Sequence, residues 1–175
     1  MKINKWPRAA IILFILALNI GCDQVSKSMV RKDLQVDQVL YYVGGHFTLE
    51  RTENTGAFLS LGDSLSGWVR DMLLVVLPLV AIVAALVYIL IKTEMKNAIL
   101  LAIILIIGGG VGNLYDRMAH GSVTDFMHIG FGSIAQTGVF NVADMSIMAG
   151  MFIILFNSFV TKKEEVADEN VVAEN

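Results

Sequence analysis

The sequence is poor in charge, in cysteine and in histidine, and each shortage removes a class of protein. Its 13 basic and 16 acidic residues are 17% of 175 positions, against roughly a quarter in a typical soluble domain. Hydrophobic residues make up 55%, and the mean hydropathy is +0.66. A soluble globule and a disordered chain both need more polar surface than this, so a membrane protein is expected. With a net charge of −3 and no basic run, the chain lacks the clustered Lys and Arg that phosphate contacts need, which argues against nucleic acid as a partner. The single cysteine, Cys22, makes neither an intramolecular disulfide nor a cysteine-based metal site, and three scattered histidines add no ligand pair at helical spacing. Neither a metal nor an organic cofactor is expected.

Asp, Glu, Lys and Arg are missing altogether from residues 9–22, 72–91, 97–115 and 145–161. The second and third stretches have the roughly 20 residues a helix needs to cross hydrocarbon, and the first and fourth reach that length with their interfacial flanks. The expected fold is a membrane all-α bundle of four transmembrane helices, over about residues 7–25, 70–91, 97–115 and 140–161. They form one integral-membrane domain over 1–161, followed by a polar, acidic tail over 162–175 that is expected to be disordered. Pro78 is tolerable inside the second span because neighbouring helices can re-satisfy the freed carbonyl. An even number of spans brings both termini to one side. The short flanks there hold Lys2, Lys5, Arg8, Lys92, Lys96, Lys162 and Lys163, so the positive-inside rule makes that side the cytoplasm.

The connection between the first two spans, about residues 28–68, is too long to be bare and alternates like strands. Residues 39–43 and 46–53 flank Gly44-Gly45, a two-residue hairpin signal, and predict a small extracytoplasmic β-sheet in this loop. Gly62, Ser64, Ser66 and Gly67 before Trp68 suggest a turn and an interfacial anchor. The segment 121–138 holds four glycines among apolar residues and is expected to be semi-buried. Lys2, Lys5 and Arg8 before an apolar run and Asn19-Ile20-Gly21-Cys22 look like a lipoprotein signal peptide. A lipoprotein would continue into a water-soluble domain, whereas this chain enters the membrane three more times, so Cys22 is read as a small residue at a helix end.

Four acidic residues, Asp23, Asp116, Asp125 and Asp144, fall at or beyond the same ends of the spans. An ionisable group near hydrocarbon costs several kcal/mol unless paired or protonated, so their gathering points to function. Asp23 precedes Lys27 by four residues, the favourable order for a helical pair. Asp116 adjoins Arg117 and both follow Asn113, which suggests an ion-paired brace as readily as chemistry. Asp144 lies three after Asn141, on the same helical face. Asp125 has no local basic partner, and its neighbours Val123 and Phe126 favour a raised pKa. Gly108 and Gly112 form a G-x-x-x-G, a close-packing pattern between membrane helices.

Taken in order, D-Q-V-S-K (23–27), N-T-G-A-F (54–58), G-N-L-Y-D-R (112–117), V-T-D-F (123–126) and F-N-V-A-D (140–144) resemble the lipoprotein signal peptidases, the type II signal peptidases of bacteria. The resemblance covers the chain from the first span to the fourth and departs in 130–139, where small residues stand in place of frequent aromatics. It implies an integral-membrane aspartic endopeptidase of the bacterial cytoplasmic (inner) membrane with its active site near the extracytoplasmic face. The implied reaction is cleavage of lipid-modified prolipoproteins just before the diacylglyceryl-cysteine. Asp125 and Asp144 would be the catalytic pair. Asp23, Lys27, Asn54, Gly56, Asn113, Asp116, Arg117, Asn141 and Ala143 would support the site or contact substrate and globomycin-type inhibitors. Membrane lipids are further partners, and a monomer is expected. The chemistry is coherent, because two close carboxyls sharing one proton supply both the base and the acid that amide hydrolysis needs. The competing readings are a small four-helix transporter, which usually carries an acid near the bilayer midplane, where these spans have none, and a non-catalytic membrane scaffold.

Overall fold

The computed structural model describes residues 5–36, 38–56, 66–92, 94–132 and 134–173, with side chains described for those between 8 and 160. Lys2, Ala57, Phe58, Gly62 and Ser64, singled out above, lie outside the described residues, as do the side chains of Lys5, Lys162 and Lys163. The chain runs α1 (Lys5–Asp33), β1 (Val39–Tyr42), β2 (Phe47–Asn54), α2 (Gly67–Ile91), α3 (Asn97–His120), β3 (Val123–Phe131), β4 (Ala135–Gln136) and α4 (Val142–Ala173).

Stretches of Arg8–Asp33, Gly67–Ile91, Asn97–His120 and Val142–Val160 are long and apolar enough to cross a membrane. Their outward faces carry exposed Leu13, Phe14, Leu77, Val80, Phe152 and Phe156, which water would penalise and hydrocarbon does not. The inward faces of α1, α2 and α3 meet in a cluster of Ile12, Leu16, Ile89, Ile104 and Ile107, while α4 packs along α3, with Gly150 against Ala102 and Ile106. Helix α3 is the hub: 39% of its most apolar window is buried, against 6–17% in the other three. In α2 a five-residue π-turn, Met72–Val76, precedes Pro78, and the Leu77 N–H reaches back to the Met72 carbonyl. This wider turn absorbs the break that a residue without an N–H makes in the helical ladder.

Close approach to α3 depends on glycine: a Cβ at Gly108 would stand 2.8 Å from the Asn19 side chain on α1, and one at Gly150 of α4 would stand 2.5 Å from the Ala102 carbonyl oxygen. A Cβ at Gly112 would stand 2.5 Å from Asp23 Oδ2 on α1, and one at Gly109 would collide with the Ala143 carbonyl oxygen on α4. The Gly108/Gly112 pattern is therefore a packing device here, as its spacing suggests.

Two boundaries differ from the sequence expectation. Helix α1 runs eight residues past 25, to Asp33, because Asp23, Lys27 and Arg31 repeat every four residues and each is held: Asp23 by Lys27 and the Ala143 N–H of α4, Lys27 by Asp116 of α3 and Arg31 by Thr124 of β3. The last helix continues through Ala173, into the segment whose composition suggested disorder; its Lys, Glu and Ala residues are good helix formers.

The sheet is also larger than a hairpin. Its order is β1-β2-β3-β4, all antiparallel, and β3 and β4 come from the segment after α3, read above only as semi-buried. Val123, Thr124, Asp125 and Phe126 are all buried, so the strand shows no alternation to reveal it. Gly121, with φ +77°, ends α3 in the left-handed conformation and turns the chain into β3. The β1–β2 loop is longer than two residues, because Tyr42 pairs with Phe47 and a short 3₁₀ turn at Val43–Gly45 fills the gap.

Gly112→Ala and Gly109→Ala are each expected to lower stability by about 1–3 kcal/mol through overpacking against backbone and a fixed carboxylate. Gly110→Ala, whose Cβ would meet only the flexible end of Ile82 at 3.0 Å, should be nearly neutral. Thermal unfolding of the three variants in detergent checks this, and equal midpoints would contradict the packing argument.

Candidate active site

The polar residues singled out by the sequence collect where α1, α3, β3 and the start of α4 converge. The deepest is Lys27, with no solvent exposure. Its ammonium has three protons and three acceptors: Asp23 Oδ2 at 2.8 Å, Asp116 Oδ2 at 2.9 Å and Asn113 Oδ1 at 2.9 Å. Asp23 and Asp116 are equally buried. Gln24 Nε2 links both to the Gly112 carbonyl, and Arg31 approaches Asp116 Oδ1 at 3.5 Å while donating to Thr124 on β3. Two cations thus face two carboxylates, which is how buried charge is tolerated. The expected Asp116–Arg117 brace is not what forms. Neighbours on a helix point about 100° apart, so Asp116 turns to Lys27, and Arg117 donates to the carbonyls of Gly56 (2.8 Å) and Asn113 (3.3 Å).

From Asn113 the network passes to Asp144. Asn113 Nδ2 donates to Asp144 Oδ1 at 2.9 Å. Asp144 also completes a capping box at the start of α4: the Asp144 N–H donates to Asn141 Oδ1 at 2.9 Å and the Asn141 N–H donates to Asp144 Oδ2 at 3.1 Å. This satisfies helix-end donors and locks the carboxylate's direction together. The Ala143 N–H donates to Asp23 Oδ1 at 2.9 Å, tying the same turn to the ion cluster. Ala143 is fully buried.

Asp125 approaches from the sheet. Its Oδ1 accepts from Asn141 Nδ2 at 2.6 Å and its Oδ2 from Asn54 Nδ2 at 3.0 Å. Asn54 Oδ1 is occupied by the Gly56 N–H at 3.0 Å, which turns its amide nitrogen toward Asp125. A β-bulge sets this up. Between the pairs Leu49/Met127 and Thr52/Asp125, β2 uses three residues where β3 uses two. In regular register Arg51 and Glu53 would share Asp125's face; the extra residue brings Thr52 and Asn54 there instead. Glu53 then lies on the other face, accepting from Thr124 and Ser122. Phe140 pairs with Met127 across a bridge (Phe140 N–H to Met127 O, 2.8 Å), so the residue before Asn141 is pinned to the strand carrying Asp125.

Asp125 is 3% exposed. Burial pushes its carboxyl up to about 6; the Asn54 hydrogen bond opposes this, the Asp144 charge adds to it, and Asn141 and Lys27 oppose it more weakly. The raised value matches the expectation from its apolar neighbours.

Asp125 and Asp144 both line a cavity of about 480 Å³. Asn54, Asn113 and Arg117 complete its polar end, and Leu74, Pro78, Ile147, Met148 and Met151 form an apolar wall from α2 and α4. The four aspartates therefore divide into a buried ion cluster (Asp23, Asp116) and a cavity-lining pair (Asp125, Asp144). Among the described residues, no group of three or more His, Cys, Asp and Glu could hold a metal ion. Every candidate named from the sequence belongs to this one connected network. Sequence reasoning missed Gln24, Arg31, Thr124 and the apolar wall. Arg31 had a signal, lying four residues beyond Lys27 on the same helical face, whereas the wall comes from two helices far apart in sequence and had none.

A family model described as Signal peptidase (SPase) II matches residues 15–160. The lipoprotein signal peptidase of Streptococcus pneumoniae (strain ATCC BAA-255 / R6) is 31% identical over 159 residues, 91% of this chain and 97% of that protein. That of Pseudomonas paraeruginosa (strain DSM 24068 / PA7) is 31% identical over 161 residues, 90% of this chain and 89% of its own. That of Streptococcus thermophilus (strain CNRZ 1066) is 36% identical over 149 residues, 85% and 91% respectively. Among solved structures, one described as a bacterial membrane enzyme studied by the in meso method superposes with a TM-score of 0.77 at 20% identity, covering 89% of this chain and 91% of that one. A second of the same description gives 0.73 at 21%, covering 85% and 92%. These share the fold, a multi-pass membrane bundle with a small sheet. On the match from the first helix to the last, and on relatives similar along most of their length, the chain belongs to the signal peptidase II family.

Proposed function

We propose that the chain is an aspartic endopeptidase that cleaves the signal peptide from lipid-modified prolipoproteins, just before the lipid-bearing cysteine, with Asp125 and Asp144 as the catalytic pair. The observation that carries this is geometric: both carboxyls line one cavity and share the bridging residue Asn141, which donates to Asp125 and exchanges capping hydrogen bonds with Asp144. Family membership supplies the substrate class. A lipidated signal peptide is itself an apolar helix carrying acyl chains. The cavity's apolar wall suits that substrate and its polar end suits the scissile amide, with globomycin-type inhibitors as competitors for the same space.

In this reading the pair holds one proton, because two close carboxylates do not ionise together cheaply. The ionised carboxyl takes a proton from water as the water oxygen bonds to the peptide carbonyl carbon. The protonated carboxyl gives its proton to the carbonyl oxygen. As the tetrahedral intermediate collapses, the C–N bond breaks, the leaving nitrogen takes a proton from the former base, and one hydroxyl proton returns to the pair. Asn54, Asn113 and Asn141 hold the carboxyls in place with neutral donors, and Arg117 fixes the Gly56 carbonyl at the rim. Both termini are assigned to the cytoplasm and the site to the extracytoplasmic face of the bacterial cytoplasmic membrane, on the flanking lysines and on the level at which a lipidated cysteine sits. The protein is expected to act as a monomer.

Asp125→Asn and Asp144→Asn should each abolish cleavage of a diacylglyceryl-modified prolipoprotein by the purified protein in detergent while leaving a cooperative thermal transition. Substantial turnover by either variant would sink the pair. Because the singly protonated state is the active one and the Asp125 carboxyl of the free protein lies at about 6, kcat/KM should fall as pH rises through about 6; a flat profile from pH 5 to 8 would contradict it. Stability has the same sign. The raised Asp125 value gives a contribution that is full below 3.8, the ordinary value, and is lost as pH rises through about 6. At 1.36 kcal/mol per pH unit that amounts to about 3 kcal/mol. Wild type should lose that part of its stability between pH 4 and 8, and Asp125→Asn should not. Asp116→Ala leaves Lys27 with one carboxylate and should cost about 3–5 kcal/mol; an unchanged thermal midpoint with normal kinetics would argue against the ion cluster.

A further inference from the structure

Asn113 receives two donors on one atom. Lys27 Nζ at 2.9 Å and Asn141 Nδ2 at 3.2 Å both point at its Oδ1, which leaves Nδ2 for Asp144 Oδ1 at 2.9 Å. A carboxamide can turn over and exchange its oxygen and nitrogen at little steric cost. Turned over, Asn113 would set an acceptor against Asp144 and a donor against the Asn141 amide, losing two hydrogen bonds at once. An ammonium can only donate, so the Lys27 contact forbids that state more firmly than a group able to accept would.

Two of the three Lys27 protons neutralise Asp23 and Asp116, and charge balance alone needs nothing more. The third is directed at Asn113, a side chain that donates to the Asp144 carboxyl. Asp23, held by Lys27, also takes the Ala143 N–H in the turn that carries Asp144. That contact is made by the Asp23 carboxylate and not by the ammonium, so the Asn113 carboxamide is the route from Lys27 to Asp144.

We propose that Lys27 is a positioning residue for the aspartate pair: acting through the Asn113 carboxamide, its buried ammonium dictates that Asp144 meets a donor. This inference rests on the catalytic reading of Asp125 and Asp144. Lys27 touches neither substrate nor carboxyl of the pair; it fixes the polarity of the group that does.

The test is a double-mutant cycle on the full-length protein in detergent, with a diacylglyceryl-modified prolipoprotein as substrate and kcat corrected for the folded fraction. Losing a hydrogen bond to a charged group should lower kcat roughly 10- to 100-fold in Lys27→Met and in Asn113→Ala, with KM within about twofold in Lys27→Met because the lysine does not line the cavity. The double variant should be no slower than Asn113→Ala alone, since both changes break one relay. Multiplying losses, or a Lys27→Met protein with a lowered thermal midpoint and wild-type kcat, would overturn the proposal and leave Lys27 as a structural counter-ion. If Lys27→Met alone does not fold, Lys27→Met with Asp23→Asn and Asp116→Asn removes the cation and both counter-charges together. A folded triple variant with wild-type kcat overturns the relay, and a lowered kcat that Asn113→Ala does not deepen supports it. Asp125→Asn and Asp144→Asn run alongside separate the two readings: activity in these would defeat the aspartate pair itself, whereas their inactivity beside a fully active Lys27→Met defeats the relay alone.

Discussion

One ammonium without solvent governs the interior of this protein. Lys27 is completely buried between helices whose shared core is isoleucine and leucine, and an uncompensated charge in such surroundings costs several kcal/mol. Compensation requires carboxylates from two helices at hydrogen-bond distance, so α1 and α3 must come close. Gly112 permits that approach beside Asp23, and Gly109 permits α4 to follow at Ala143. The spacing of helices, the glycines on the hub and the polar residues at the convergence are thus consequences of one ion cluster, more than separate features of a bundle.

The same four aspartates show how surroundings assign tasks to identical side chains. Asp23 and Asp116 sit against cations and tie helices together. Asp125 and Asp144 are met by asparagine amides and backbone N–H groups. A neutral donor aims a carboxyl without strongly fixing its charge, which suits the proton exchange proposed for this pair. The nearby cation, Arg117, directs two of its nitrogens to backbone carbonyls instead of the pair. Charge is present around the cavity but is spent on neighbours.

The spans were legible because an absence is easy to see: four charge-free stretches leave little else to predict. The Asp23/Lys27 pair was legible too, because i and i+4 face the same way on any helix. Strand β3 was not, since a strand buried on both sides has no period. Neither was the bulge in β2, where one extra residue exchanges Glu53 for Asn54 on the face of Asp125 and leaves no mark in composition. The adjacency of Asp116 and Arg117 misled, because sequence neighbours diverge on a helix. The five motifs converge on one network, while the partner each residue holds depended on contacts between segments far apart in the chain.

That partnership has a consequence for where the chemistry sits. Asp144 comes from the first turn of a helix long enough to span hydrocarbon, and Asp125 from a strand of a sheet that carries no span. The Phe140–Met127 bridge and the Asn141 side chain clamp the two together at the level where helix becomes strand. Deeper in the bundle the pair would have no amides to hold it and no room for water. On the open side of the sheet Asp125 would lose the burial that lifts its carboxyl to about 6. For the proposed pair, which must share a proton beside an apolar wall and still admit water, this junction of helix and sheet is a suitable depth, and the bulge, the bridge and the capping box are the means by which this chain puts both carboxyls there.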